Sequence, residues 1–119
     1  MVLNKGDIVL VNFDPAKGGE IGKLRPAVVI SGKEENAVLE TCIVIPLSTV
    51  IENDALPYRF TIHKRDKLHH DSDACIYEIR ALSKERIKEK LSALSKNELS
   101  IIQESLCEII GGVYNRPLS

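Results

Sequence analysis

The chain has 119 residues, of which 44% are hydrophobic and 4% aromatic, with no tryptophan. This length predicts one domain over residues 1–119, because domains commonly hold about 100–200 residues, and it leaves no room for a separate cofactor domain. Lys and Arg number 16 against 17 Asp and Glu, a net charge of −1. That balance excludes a nucleic-acid binder that relies on a large basic excess, so any anionic partner must be held by a local patch.

The three cysteines, Cys42, Cys75 and Cys107, are widely spaced and form no C-x-x-C pair. Their number and spacing predict neither a zinc finger nor a disulfide framework. No apolar run approaches the roughly 20 residues that a membrane-spanning helix needs. Asp7 and Asp14 lie where a signal peptide would be apolar. We therefore expect a cytoplasmic protein without a cleaved export signal.

Five segments carry the β-branched and apolar residues that are typical of strands. The first ends at Asp14-Pro15, a turn-initiating pair. Residues 17–23 contain three glycines, which allow the backbone to come close to a ligand. Pro46 is expected to end the third strand or to place it at an edge. The predicted strands cover 7–13, 26–30, 41–47, 58–62 and 74–79, and a polar connection at 32–36 separates the second from the third.

After Arg80 the strand pattern changes to a helical one. Ser83 can cap a short helical turn that runs through Ile87 and Leu91. Basic and acidic residues are interspersed in this segment, which is typical of a solvated helical face with local ion pairs. These charged residues are Lys84, Glu85, Arg86, Lys88, Glu89 and Lys90.

The last element is predicted to be an amphipathic helix. Ser95 and Glu98 have the spacing of a capping box, and the glycine pair 111–112 ends the pattern. Strands followed by a terminal helix predict an α+β protein with a small, strongly bent antiparallel sheet or partial barrel. The apolar face of the helix comprises Leu99, Ile102, Leu106, Ile109 and Ile110.

Four blocks of sequence carry a resemblance to a known family. Residues 6–13, GDIVLVNF, lead into residues 14–29, DPAKGGEIGKLRPAVV, and the blocks IVIPLST at 43–49 and EIRAL at 78–82 follow in the same order. These blocks resemble the MazF/PemK family of toxin endoribonucleases, or mRNA interferases, over nearly the whole chain. The resemblance implies a small SH3-like or CcdB-like antiparallel β-barrel with a C-terminal amphipathic helix.

The resemblance also implies a function. The chain would be the toxin of a type II toxin–antitoxin system, a homodimer whose shared groove binds single-stranded RNA. It would cleave RNA at short motifs by attack of the 2′-hydroxyl, without a metal or other cofactor, and a flexible segment of a cognate antitoxin would occupy the groove. One alternative is a non-cleaving protein of the same fold that binds an antitoxin or gyrase. Another is a generic RNA-binding regulator.

Three residues are the predicted catalytic groups. The resemblance places Arg25 and Ser48 at the active site, with Thr in many relatives where this chain has Ser48. A guanidinium stays ionised and matches phosphate oxygens, while a hydroxyl can hydrogen-bond to phosphate or to the 2′-hydroxyl. The alternative for Ser48 is a simple turn after Pro46. Glu20 lies in residues 17–23, which we call the glycine loop. It could accept the 2′-hydroxyl proton if burial raised its pKa. The alternative, given equal weight, is that Glu20 is an ordinary solvated residue of this loop.

Positive charge for RNA is expected near the glycine loop. The predicted RNA-binding residues are Lys17, Gly18, Gly19, Lys23, Thr49 and Arg80. Two positions depart from the family pattern. Tyr77 stands where relatives commonly carry Asp or Glu, and Cys75 stands where one branch carries Arg. Strand alternation predicts that the neighbouring carboxylate of Glu78 points to the opposite face of the sheet, so the general base is left open.

Several possible metal ligands lie between residues 63 and 75, but their spacing matches no strong zinc motif. A solvated loop is therefore predicted in place of a metal site. The residues concerned are His63, His69, His70, Asp71, Asp73 and Cys75.

Overall fold

A computed structural model of the chain describes residues 1–13 and 23–111. Within these residues, no helix is long and apolar enough to cross a membrane. The strands are β1 (Asp7–Asn12), β2 (Leu24–Val29), β3 (Thr41–Ser48), β4 (Arg59–Ile62), β5 (Ser72–Cys75), β6 (Arg80–Ser83) and β7 (Ile87–Ala93). The α-helices are α1 (Lys33–Val38) and α2 (Lys96–Ile109), and two 3-10 turns cover Ile76–Glu78 and Lys84–Arg86.

The strands pair antiparallel throughout the described sheet. Their order is β4-β5-β3-β2-β1-β7, and β6 makes an additional pairing with β3. The backbone N–H of Lys67 donates to the carbonyl of Leu91 at 3.1 Å. The β4–β5 loop therefore contacts β7, although β4 and β7 are the first and last strands of this order. The predicted α+β class, the antiparallel sheet and the C-terminal helix are confirmed.

Alternate residues of β1, β2 and β3 face two separate apolar clusters. Burial on both faces explains why these strands appear in the sequence as nearly continuous apolar runs. We call the first the helix-side cluster, which includes Ile8, Val28, Ile45, Leu47, Leu91 and Ile102. We call the second the far-side cluster, which includes Val9, Val11, Phe13, Ala27, Val29, Val44 and Ile87.

Helix α2 begins and ends largely as its sequence predicts. Ser95 Oγ accepts the N–H of Glu98 at 3.1 Å, and the Glu98 carboxylate accepts the N–H of Ser95 at 2.9 Å, which completes the capping box. Ile102 is fully buried, whereas Ile110 is 72% exposed, so the prediction that Ile110 belongs to the apolar face is wrong. The helix ends at Ile109, two residues before Gly111, whose φ of +76° is a backbone conformation that favours glycine.

The helical prediction for residues 83–91 is wrong. This segment contains the end of β6, the 3-10 turn and most of β7. Ser83 does cap a turn, since its hydroxyl accepts the N–H of Glu85 at 3.3 Å, but the turn is 3-10. Register shifts in the pairing of β1 with β7 place Ile87 in the far-side cluster and Leu91 in the helix-side cluster. Pairing with a distant strand therefore overrides the helical spacing of these two residues. The expected helical face of alternating charges is absent from this described segment.

Three smaller differences also have physical causes. The predicted polar connection at 32–36 is mostly the helix α1, which has exposed apolar residues and therefore no amphipathic signal. Pro46 lies inside β3 and pairs with Ala27 of β2 along one edge of the strand. Along the other edge it falls between the residues that pair with β6 and those that pair with β5, and this gap accommodates its missing N–H. The predicted strand at 74–79 is the end of β5 followed by the 3-10 turn Ile76–Glu78.

Candidate active site

A cleft of about 170 Å³ opens where the end of β1 lies beside the start of β2. The backbone N–H of Phe13 donates to the carbonyl of Lys23 at 3.2 Å, so the two residues that flank residues 14–22 form one rim. We call this the Arg25 cleft. Its described lining residues are Phe13, Lys23, Arg25, Pro46, Glu78 and Arg80.

Arg25 is held against the end of β3. Its side chain is half-buried on β2, and its Nη2 donates to the carbonyl oxygen of Leu47 at 3.0 Å. The guanidinium carbon lies 5.8 Å from the centre of the Phe13 ring. A bond to the backbone and a ring face together restrict a long side chain to one region of the cleft. Arg25 is thereby fixed at the carbonyl of Leu47, the residue before Ser48 in β3, although Ser48 is not among the described residues that line the cleft.

Three cations meet in the Arg25 cleft. Arg80 is exposed at the start of β6 and its guanidinium carbon lies 5.5 Å from the Phe13 ring. Lys23 is exposed on the rim, and Arg25 completes the set. The cleft thus supplies the local positive patch that a chain of nearly neutral total charge needs for an anionic partner. A guanidinium pair and an ammonium group are suited to the oxygens of phosphate groups.

Ser48 and Thr49 face different surroundings. Ser48 is half-buried at the end of β3, pairs with Asp73 and accepts the N–H of Val50 through Oγ at 3.2 Å. This contact gives Ser48 the turn role considered as its alternative, and the residue still lies next to the Leu47 carbonyl that binds Arg25. Thr49 is exposed and lines a separate cavity of about 500 Å³ on the other side of β2, so the structure does not bring it into the Arg25 cleft.

Four predicted site residues lie outside the described part of the chain. They belong to the glycine loop, and their roles stay predictions. These residues are Lys17, Gly18, Gly19 and Glu20.

The strand alternation used to predict the direction of Glu78 is wrong. Residues Ile76–Glu78 form a 3-10 turn, so the two-residue alternation of a strand does not apply to them. Glu78 lines the Arg25 cleft, whereas Tyr77 is 71% exposed and contacts Tyr58 edge to face at 6.3 Å. The sequence signal that could have located Phe13 is its position directly before the glycine loop. Nothing local in the sequence indicates the 3-10 turn.

Cys75 lies beneath the turn that carries Glu78. Its thiol is buried and donates to the carbonyl of Asp73 at 3.7 Å. Burial raises the pKa of the Cys75 thiol, the charge of Arg59 lowers it, Glu78 raises it and Arg25 lowers it. The thiol therefore stays protonated, and it lies within the electrostatic reach of both Glu78 and Arg25.

The possible metal ligands between residues 63 and 75 are used in other ways. In the part of the chain that the structure describes, no group of three or more His, Cys, Asp or Glu side chains is placed to hold a metal. Asp73 is fully buried and accepts the Thr61 hydroxyl and the Glu52 N–H. The carboxylate of Asp71 lies 3.8 Å from His63 Nδ1 and accepts the N–H of Lys64, and hydrogen bonding from that N–H lowers the pKa of Asp71.

The chain thus combines an antiparallel sheet, a terminal helix and a basic cleft beside its first hairpin. The family model for PemK-like, MazF-like toxins of type II toxin–antitoxin systems matches residues 4–110. The chain therefore belongs to this toxin family.

Individual relatives agree with this membership. The chain is 33% identical over 106 residues to the endoribonuclease MazF of Staphylococcus epidermidis, a match that covers 88% of each protein. A MazE–MazF structure from Deinococcus radiodurans is similar with a TM-score of 0.78 and 23% identity, covering 95% of this chain and 100% of that one. The Mycobacterium tuberculosis toxin MazF-mt6 is similar with a TM-score of 0.74 and 12% identity, covering 91% and 99%. These structural likenesses show a shared fold.

Proposed function

We propose that this endoribonuclease toxin of a type II toxin–antitoxin system cleaves single-stranded RNA at the Arg25 cleft. The family match and the Staphylococcus epidermidis relative give the class of protein and of activity, and they do not favour the non-cleaving alternative. The location rests on one observation, that Lys23, Arg25 and Arg80 line one cleft in which both guanidinium groups lie at the Phe13 ring.

In the proposed reaction, the RNA 2′-hydroxyl attacks the adjacent phosphorus. The new bond joins O2′ to phosphorus, the bond from phosphorus to O5′ breaks, and the products carry a 2′,3′-cyclic phosphate and a 5′-hydroxyl. Negative charge builds on the non-bridging oxygens as the phosphorus becomes five-coordinate. The guanidinium of Arg25 is proposed to stabilise that charge. This chemistry needs proton transfer and charge stabilisation, and the proposal includes no metal.

The other predicted residues have supporting roles in this proposal. Lys23 and Arg80 would bind neighbouring phosphates, which supply most of the affinity for RNA. The hydroxyl of Ser48 would position the reacting group from the end of β3. Thr49 lies at the separate cavity, so it would contact RNA away from the scissile phosphate. Lys17, Gly18, Gly19 and Glu20 keep their predicted roles in the glycine loop.

The proposal extends to partners. Structural relatives include MazE–MazF of Deinococcus radiodurans and a mycobacterial endoribonuclease in complex with its cognate antitoxin, which supports a cognate antitoxin for this chain. We further propose a homodimer, in the cytoplasm, with a groove between subunits that selects short RNA motifs. A single toxin domain over residues 1–119 is supported by the match to residues 4–110.

Incubation of the purified protein with RNA of diverse sequence, in EDTA, tests this function. We expect discrete fragments that end in 2′,3′-cyclic phosphate, and we expect Arg25→Ala to abolish them. Lys33→Ala, which removes an exposed cation on α1, is the control and should cleave like the wild type. Intact RNA after incubation with folded wild-type protein would contradict the proposal. Binding to gyrase without cleavage would support the alternative.

A further inference from the structure

Among the described residues that line the Arg25 cleft, Glu78 is the one acid. Glu78 shares the lining of this cleft with Lys23, Arg25 and Arg80, and its side chain is exposed. A negative charge in a phosphate site opposes binding of RNA, so charge attraction to the substrate does not explain this carboxylate. A carboxylate at such a site can instead accept a proton during the reaction.

The 3-10 turn supports Glu78 from the protein core. Ile76 is fully buried, and its N–H donates to the carbonyl of Tyr58 at 2.9 Å. The N–H of Ile79 donates to the carbonyl of Ile76 at 3.2 Å and closes the turn. Both ends of the turn are therefore fixed, and Glu78 is held at the cleft by a rigid element, as a reacting group requires.

Glu78 and Arg25 also act on a common neighbour, the buried Cys75 thiol. The charge of Glu78 raises the pKa of that thiol and the charge of Arg25 lowers it, and both side chains line the same cleft. A phosphate bound by Arg25 would accordingly lie close to Glu78. Within residues 1–13 and 23–111, the titratable and charged groups that line the cleft with Glu78 or act on its neighbour Cys75 are Lys23, Arg25, Arg59, Arg80 and Cys75 itself.

We infer that Glu78 is the catalytic base of the proposed cleavage, an inference that rests on the proposed function. The carboxylate takes the proton of the 2′-hydroxyl as O2′ bonds to phosphorus. The O5′ atom leaves with the electron pair of its bond to phosphorus and takes a proton from water. The resulting carboxylic acid then returns its proton to solvent. Glu78 thus supplies from the 3-10 turn the carboxylate that Tyr77 does not provide.

Single-turnover cleavage of a short RNA that contains a mapped cleavage site tests the inference. We expect Glu78→Gln to slow cleavage by about 100- to 10,000-fold, the usual contribution of a general base. Glu78→Asp should cleave at least about tenfold faster than Glu78→Gln, because it keeps a carboxylate. Glu85→Gln is the matched control, since Glu85 is an exposed acid in the other 3-10 turn, and it should cleave like the wild type.

Two modified substrates separate a base from other roles. An RNA with a 2′-deoxy nucleotide at the cleavage site cannot react, and Glu78→Gln should bind it at least as tightly as the wild type because a repulsive charge is gone. Weaker binding by this variant would overturn the inference. An RNA with a 5′-bridging sulfur has a leaving group that needs no proton. Glu78→Gln should remain slow on it, and recovery of the rate would assign an acid role instead.

The outcomes also distinguish this inference from the proposed function. If the wild type cleaves RNA, Arg25→Ala does not, and Glu78→Gln cleaves at the wild-type rate, the function stands and the inference is wrong. The same holds if Glu20→Gln is slow while Glu78→Gln is normal, because the base would then be Glu20. If the wild type leaves all RNA intact, both fail together.

Discussion

The ring of Phe13 holds the guanidinium of Arg25 from one side, with 5.8 Å between the guanidinium carbon and the ring centre. Arg80 approaches the same ring to 5.5 Å. Phe13 is itself buried at 7% exposure, and its carbonyl accepts Nη1 of Arg86 at 2.8 Å. A fixed aromatic ring thus positions two long cationic side chains at the candidate active site.

Phe13→Leu should therefore slow cleavage without removing any charged group. Each cation–π contact is worth about 0.5–1 kcal/mol, so loss of both predicts a rate about 5- to 30-fold lower. Phe60 is the chain's other phenylalanine and packs against the helix-side cluster, which makes Phe60→Leu the matched control. Single-turnover rates are compared at a temperature where both variants are folded. Equal rates for the two variants would contradict the role given to Phe13.

Ser48 and Thr49 are adjacent hydroxyl residues with different predicted effects. Ser48→Ala should lower the cleavage rate by roughly 10- to 100-fold, because a hydrogen bond to a charged group is worth about 1.5–3 kcal/mol. Ser48→Thr should retain most of the activity. Thr49→Ala should change the rate little, since Thr49 lines the separate cavity. Parallel rate and thermal unfolding measurements are needed because Ser48 also accepts the Val50 N–H. If the two alanine variants lose activity equally, the distinction fails.

The buried carboxylate of Asp73 ties the β3–β4 loop to the sheet. It accepts the N–H of Glu52 at 2.8 Å and the hydroxyl of Thr61 at 2.7 Å, and Arg59 Nη1 lies 3.5 Å away. Asp73→Ala should lower the free energy of unfolding by about 2–5 kcal/mol, because it leaves two hydrogen-bond donors without their acceptor. Arg59 keeps its contacts with Glu52 and the Val50 carbonyl. Thr61→Val removes one of these bonds and should cost about 1 kcal/mol.

Chemical denaturation measures both losses, and hydrogen exchange at the Glu52 amide should report faster local opening in Asp73→Ala. A loss in Asp73→Ala no larger than that in Thr61→Val would show that the carboxylate is not the anchor of this loop.

A second ion pair makes stability depend on pH. Arg65 donates to both carboxylate oxygens of Glu98, at 2.6 and 2.8 Å. These hydrogen bonds, against the opposing effect of burial, lower the pKa of Glu98 from 4.5 to about 2. A carboxylate whose folded pKa is lowered contributes stability above its unfolded pKa and loses it as the pH falls toward the folded value.

We therefore expect wild type and Glu98→Gln to differ most above about pH 5, by about 3 kcal/mol at most in the free energy of unfolding. The difference should shrink between pH 4.5 and about 2. Urea unfolding across this range measures it, and Glu108→Gln, an exposed acid on the same helix, is the control. A difference that stays constant with pH would mean that the capping role of Glu98, and not its ionisation, accounts for the loss.

Local signals in the sequence predict the elements that are stabilised by contacts between residues close together in the chain. The capping box at Ser95 and Glu98 and the spacing of Leu99, Ile102 and Leu106 place α2 correctly, because each contact lies within the helix. The same spacing rule fails at Ile87 and Leu91, because they lie on β7, a strand that pairs with β1 from across the chain. Sequence periodicity contains no information about that distant partner.

The candidate site shows the same limit. Arg25 and Arg80 are identified from their motifs, but their common contact with Phe13 depends on how the sheet brings β1, β2 and β6 together. The orientation of Glu78 depends on the bond from Ile76 to Tyr58, which replaces strand alternation by a 3-10 turn. Both features arise from tertiary pairing, so propensity and period do not predict them.

The two apolar clusters on either side of the sheet support different parts of the molecule, one the helix α2 and the other the Arg25 cleft. Val11 and Phe13 belong to the far-side cluster, the layer that bears the Phe13 ring of the Arg25 cleft, whereas Ile8 and Ile102 belong to the layer that packs against α2. Neighbouring residues of β1 thus serve different layers. We therefore expect substitutions in the far-side cluster to disturb both stability and the Arg25 cleft, and substitutions in the helix-side cluster to disturb stability alone.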